Sequence, residues 1–167
     1  MNVDHILGTL NAHRVDYLLI GGVNFLLRHS LVLTYDVDLW IEDTPENRDR
    51  CERALAELEA EWGASEEDWG PVAARGAGWL ASQTLFCLTS PHGAIDVFRF
   101  VKGLGDWAAA RFRAQPGKTA AGTAFVGLSD HDMLACQLAL PESERKQARI
   151  QTLKQAIAKM DHGPDDG

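Results

Sequence analysis

The stretch "GGVNFLLRHSLVLTYDVDLWIED" (residues 21–43) decides the reading of this chain. It begins with Gly21-Gly22 directly after the apolar run "DYLLI" (16–20), which reads as a buried strand. Beyond the glycines, Val23, Leu26, Leu27 and Ser30 fall on one helical face, and Asn24 and Arg28 on another. The order is strand, glycine turn, helix. Then "DVDLWIE" (36–42) alternates strictly. Asp36, Asp38 and Trp40 point to one side of a strand, and Val37, Leu39 and Ile41 to the other. Aspartate is disfavoured in strands, and neighbouring carboxylates on one face repel. The pair at i and i+2 makes sense if its oxygens converge on a divalent cation. The competing reading is a solvated face of an edge strand.

Working outward, residues 2–13 carry Val3, Ile6, Leu7 and Leu10 at helical spacing. Thr44-Pro45 reads as an N-cap and a first-turn proline. Cys51, Ala54, Leu55, Leu58 and Trp62 form the helical stripe that follows. Residues 63–79 have no clear period and read as loop with a short turn of structure. "QTLFCLT" (83–89) and "AIDVFRFV" (94–101), split by "SPHG", read as a hairpin. A short helix is expected over 104–113, and loop with a short strand or two over 117–128. Ser129 with Asp132 resembles a capping box and opens a helix to about residue 139, which Pro141 ends. A last helix carries Ile150, Leu153, Ile157 and Met160. The expectation is one α+β (mixed α/β) domain over 1–160 with a polar tail at 161–167.

Composition bounds the function. The chain has 167 residues, 46% of them apolar, enough for one domain with a hydrophobic core. Its net charge of −8 disfavours broad nucleic-acid binding, which needs basic faces. A polyanionic substrate would need bound cations or a few placed Arg and Lys. Cys51, Cys87 and Cys136 form no C-x-x-C spacing, so a disulfide framework or zinc site is not expected. No signal peptide or membrane-length apolar run is legible, and the expected location is the cytoplasm.

Asp96, in the second strand of the expected hairpin, adds a third carboxylate to Asp36 and Asp38. Two paired carboxylates and a distant third on neighbouring strands are the constellation of two-metal phosphoryl chemistry. Gly21-Gly22, taken alone, is a strand-ending turn. At a helix start it leaves backbone N–H groups open to an anion such as a triphosphate.

Gly-Gly at a helix start, Thr34, Asp36-x-Asp38 and a later Asp96 together resemble the nucleotidyltransferase superfamily of DNA polymerase β, and more closely its small bacterial members, some of them toxin or antitoxin components. The resemblance implies a mixed sheet flanked by helices, with Asp36, Asp38 and Asp96 as metal ligands and catalytic carboxylates. It implies Gly21 and Gly22 at the nucleotide phosphates, Mg²⁺ or Mn²⁺ as cofactor and an NTP as substrate. The acceptor of the nucleoside monophosphate would be the hydroxyl of a protein, an RNA end or a small molecule. The chain departs from the pattern at Val32, where many relatives have Arg, and at Gln137, where many have Lys. Arg28, Lys102 and Arg99 are the alternative sources of positive charge, and strand alternation makes Arg99 the poorest. The departures favour a second reading, a catalytically silent partner protein such as a toxin–antitoxin component; the intact aspartate trio disfavours it.

Three motifs are decoys. "PGKT" (116–119) lacks the first glycine of a phosphate loop, since position 112 is Phe112. "GAGWLA" (76–81) fits a dinucleotide fingerprint but follows no convincing strand. His131-Asp132 has no further histidine at ligand spacing.

Overall fold

The computed structural model describes residues 1–29 and 34–163. Ser30 and Val32, singled out above, lie outside the described residues. Helix α1 (Val3–Ala12) is capped by Asn2, whose side chain accepts from the His5 amide. Strand β1 (Tyr17–Ile20) runs straight into α2 (Gly21–Arg28). Strand β2 (Asp36–Ile41) leads to α3 (Pro45–Glu57), where the Thr44 hydroxyl accepts from the Asn47 amide at 3.2 Å and Pro45 opens the first turn.

The helix ends one turn before Trp62, which the stripe had included. Leu58 is its C-cap, and Glu59 takes a positive φ of 55°. Trp62 sits in β3 (Glu61–Trp62), paired with β4 (Gly70–Pro71). The apolar spacing of Trp62 reflects burial against Trp79 and Phe86 rather than helix. Two short 3₁₀ turns, Val72–Ala74 and Trp79–Ala81, complete the segment read as loop.

The hairpin is present as β5 (Leu85–Leu88) and β6 (Ala94–Phe98). Helix α4 (Trp107–Arg113) precedes a second hairpin, β7 (Gln115–Lys118) and β8 (Ala124–Gly127). "PGKT" therefore lies largely in an edge strand, where a sheet tolerates Pro116. Helix α5 (Asp130–Ala139) starts at Ser129, whose hydroxyl accepts from the Asp132 amide at 3.1 Å. The Asp132 carboxylate does not close the expected reciprocal box; it accepts from Arg113 Nε at 3.0 Å instead. Helix α6 (Gln147–Asp161) follows, with Ile150 and Leu153 buried and Met160 exposed.

The six strands order as β5-β6-β2-β1-β8-β7 in one mixed sheet. β1 is antiparallel to β2 and parallel to β8, and β2 is parallel to β6. Alternation sends Val37, Leu39, Ile95 and Val97 to one face, fully buried with Ile6, Leu7 and Leu10 of α1 and Cys51 and Leu55 of α3. Each buried Leu or Ile there contributes about 1.5–3 kcal/mol. The opposite face holds Leu18, Ile20 and Trp40 under Phe25, Met133 and Leu153 of α2, α5 and α6. On that second face apolar cover stops at Ile20, and the aspartates begin.

Candidate functional site

Strand register creates the cluster. Asp38 stands opposite Ile20 on one side and Asp96 on the other, with Asp36 opposite Ala94. All three aspartates share the face opposite Val37 and Ile95. Oxygens from Asp36, Asp38 and Asp96 lie within 4.8 Å of one another. The structure thus brings together the three carboxylates that the sequence had singled out.

Three like charges this close strain their own ionisation. Burial, then repulsion from Asp96 and Asp36, pushes the Asp38 carboxyl up to about 7, although Arg149 pulls the other way. Burial and Asp36 raise Asp96 as well. Asp38 Oδ1 is buried and has no hydrogen-bond partner among the described residues. A buried oxygen without a donor, within a trio of carboxylates, suits a hard divalent cation, whose charge replaces the missing donors.

The glycines lie against this cluster. Gly21 and Gly22 are the first two residues of α2, and no side chain caps that end. Gly21 has φ +69°, a left-handed conformation, and a Cβ there would collide with the Asp38 carboxylate. A Cβ on Gly22 would meet Thr34 Oγ1 at 2.7 Å and Arg149 Nη2 at 3.2 Å. Thr34 is itself tied down, donating to the Asp36 carbonyl at 3.3 Å. The glycine pair therefore lets a helix start approach the carboxylates closely, with no side chain hydrogen-bonded to cap it.

Of the cations weighed from sequence, Arg28 donates to Gln115 at 2.6 Å and sits 3.5 Å from Asp130. Arg99 is spent on Asp43 and on the carbonyls of Ala81 and Gln83. Lys102 follows β6 beyond Phe98, the end away from Asp36 and Ala94. Gln137 accepts from the Lys146 amide at 2.9 Å, which ties α5 to α6.

The cation that does reach the site is Arg149 of α6, which sequence reasoning missed. It lies over the Phe25 ring at 5.5 Å and, with Gly21 and Gln137, lines a small cavity of about 40 Å³. Burial lowers its pKa, and Asp38 opposes that shift. Its only trace in the sequence was its place one residue before Ile150, on a helix already expected to pack inward. Cys87, opposite Asp96 on β5, is raised by burial and by Asp96.

No helix is long and apolar enough to cross a membrane among the described residues. No protein-family model matches this chain, and no curated protein matches it. Among solved structures, one from Thermotoga maritima, described as a "putative nucleotidyltransferase", aligns with a TM-score of 0.53. The alignment covers 95% of this chain and 89% of that one, at 14% identity. At that identity the likeness speaks for the fold alone: a mixed α+β, nucleotidyltransferase-like sheet flanked by helices.

Proposed function

We propose that the protein is a metal-dependent nucleotidyltransferase, moving a nucleoside monophosphate from an NTP to an acceptor hydroxyl. One observation carries the reading: Asp36, Asp38 and Asp96 converge beside the bare helix start at Gly21-Gly22. Asp36, Asp38 and Asp96 would hold Mg²⁺ or Mn²⁺, which supplies neutralisation of the triphosphate and a more acidic acceptor hydroxyl. The Gly21 and Gly22 amides face the phosphates, and Arg149 adds a fixed positive charge beside them. In the transfer, the acceptor oxygen bonds to the α-phosphorus as that phosphorus loses its bridge to the β-phosphate. Pyrophosphate leaves, and the acceptor proton passes to the Asp96 carboxylate. The rest is positioning and charge stabilisation. The acceptor is a protein, an RNA end or a small molecule.

Incubation with each labelled NTP, Mg²⁺ or Mn²⁺ and a cell extract tests this. Label transfer by the wild type, lost in Asp36→Asn and Asp96→Asn, is the expected result. A second reading, a silent nucleotidyltransferase-fold partner such as a toxin–antitoxin component, draws on Gln137, whose amide oxygen is committed to Lys146. It predicts nucleotide-independent capture of a partner protein and no transfer with any NTP.

A further inference from the structure

We propose that the chain carries a second ligand site, remote from the aspartates, for a small organic anion with an apolar body. A cleft of about 600 Å³ lies against the first residues of β1 and β8. These parallel strands pair at Leu19↔Gly127. Toward their N-terminal ends the side chain of Asn11 bridges them instead: its Oδ1 accepts from the Tyr17 hydroxyl at 3.0 Å, and its Nδ2 donates to the Ala124 carbonyl at 2.7 Å. That volume lies within the range of about 300–1,000 Å³ for small-molecule sites.

The walls decide the ligand's chemistry. Trp107, Phe125 and Val126 supply apolar surface, with Tyr17 beside them. The polar atoms of these rings are already used: Trp107 Nε1 donates to the Trp40 carbonyl at 3.1 Å, and the Tyr17 hydroxyl to Asn11. Two cations also line the cleft, Arg111 from α4 and Lys118 from β7, both exposed. Neither has an ion-pair partner among the described residues, whereas their neighbour Arg113 is held by Asp132 at 3.0 Å. The one acidic lining residue, Asp16, is paired with Arg50 at 3.4 Å. What remains is an apolar cleft with two uncompensated positive charges, on a chain of net charge −8. Such a lining selects a carboxylate at the end of an apolar body. β1 separates the cleft at Tyr17 from Gly21 by roughly 13 Å, at about 3.3 Å per residue, so the site does not depend on the nucleotidyltransferase reading.

Calorimetric titration with octanoate and with 4-phenylbutyrate, each against its uncharged amide, tests the proposal. The acids bind the wild type with a sub-millimolar Kd, and the amides about tenfold more weakly. The exposed double variant Arg111→Gln/Lys118→Gln weakens the acids about tenfold and leaves the amides unchanged. Ala124→Phe fills the cleft and removes binding of both. Thermal melts confirm that the variants fold, and if Ala124→Phe does not, the double variant decides alone. No binding of either acid at millimolar concentration overturns the site, as does an affinity that the double variant leaves unchanged.

Discussion

Gly21 and Asp38 constrain each other. The glycine's left-handed backbone and the carboxylate against its Cα leave no room for a side chain. Gly21→Ala therefore costs about 1–2 kcal/mol from backbone conformation alone, and more as Asp38 is displaced. Urea denaturation measures the loss, and on the proposed reading Mn²⁺ affinity falls with it. Asp38 carries the opposite imbalance. Its carboxyl is pushed up to about 7 in the folded chain, chiefly by burial and then by Asp96 and Asp36, from an ordinary value of about 3.9. Between those values the native state holds a proton that the unfolded chain has lost. Stability of the metal-free protein thus falls as pH rises from about 4 to about 7. Asp38→Asn flattens that slope, leaving the smaller part that Asp96 carries, and stabilises the metal-free protein at pH 8 by on the order of 2 kcal/mol. Melts across pH check it; a wild-type stability that rises through this window contradicts the assignment.

At the scale of elements, two caps set where the helices begin. The Ser129 hydroxyl holds the Asp132 amide at the start of α5, and Thr44 does the same for Asn47 in α3. Ser129→Ala and Thr44→Ala each cost about 1 kcal/mol. Thr44→Ala leaves Mn²⁺ binding intact in equilibrium titration, because α3 packs on the face away from the aspartates. Arg149 tests the coupling of α6 to the site. On the proposed activity, Arg149→Met raises the KM for NTP more than it lowers kcat, because it removes a charge beside the proposed phosphate position and leaves the carboxylates in place. Metal affinity of this variant does not fall, since the removed charge had opposed a cation.

For the molecule as a whole, the proposed cation binding is linked to folding through the sheet. Register between β1, β2 and β6 forces the three carboxylates together, so a bound cation stabilises the native state alone. At a concentration about 100 times its Kd, Mn²⁺ adds roughly 2.7 kcal/mol. The gain is read as a rise in Tm that is absent from an Asp36→Asn/Asp38→Asn/Asp96→Asn variant. An equal rise in that variant would place the cation elsewhere.

Local chemistry determined much of this protein from sequence. The alternation of Asp36 to Ile41, the glycine pair after "DYLLI", the Thr44-Pro45 and Ser129 helix starts and the β5–β6 hairpin each depend on residues near one another in the chain, so period and turn residues reveal them. The common face of Asp36 and Asp38 follows from the pleat alone. Trp62 misled because burial and helical spacing coincide over one turn, and β7 stayed hidden because Pro116 and Gly117 argue against a strand except at an edge. Only the tertiary structure decided that β8 enters the sheet parallel to β1, that Asp96 stands level with Asp38, and that Arg149 meets Gly22. Those meetings join residues far apart in sequence, and their energy lies in strand register and helix packing, which no local period encodes.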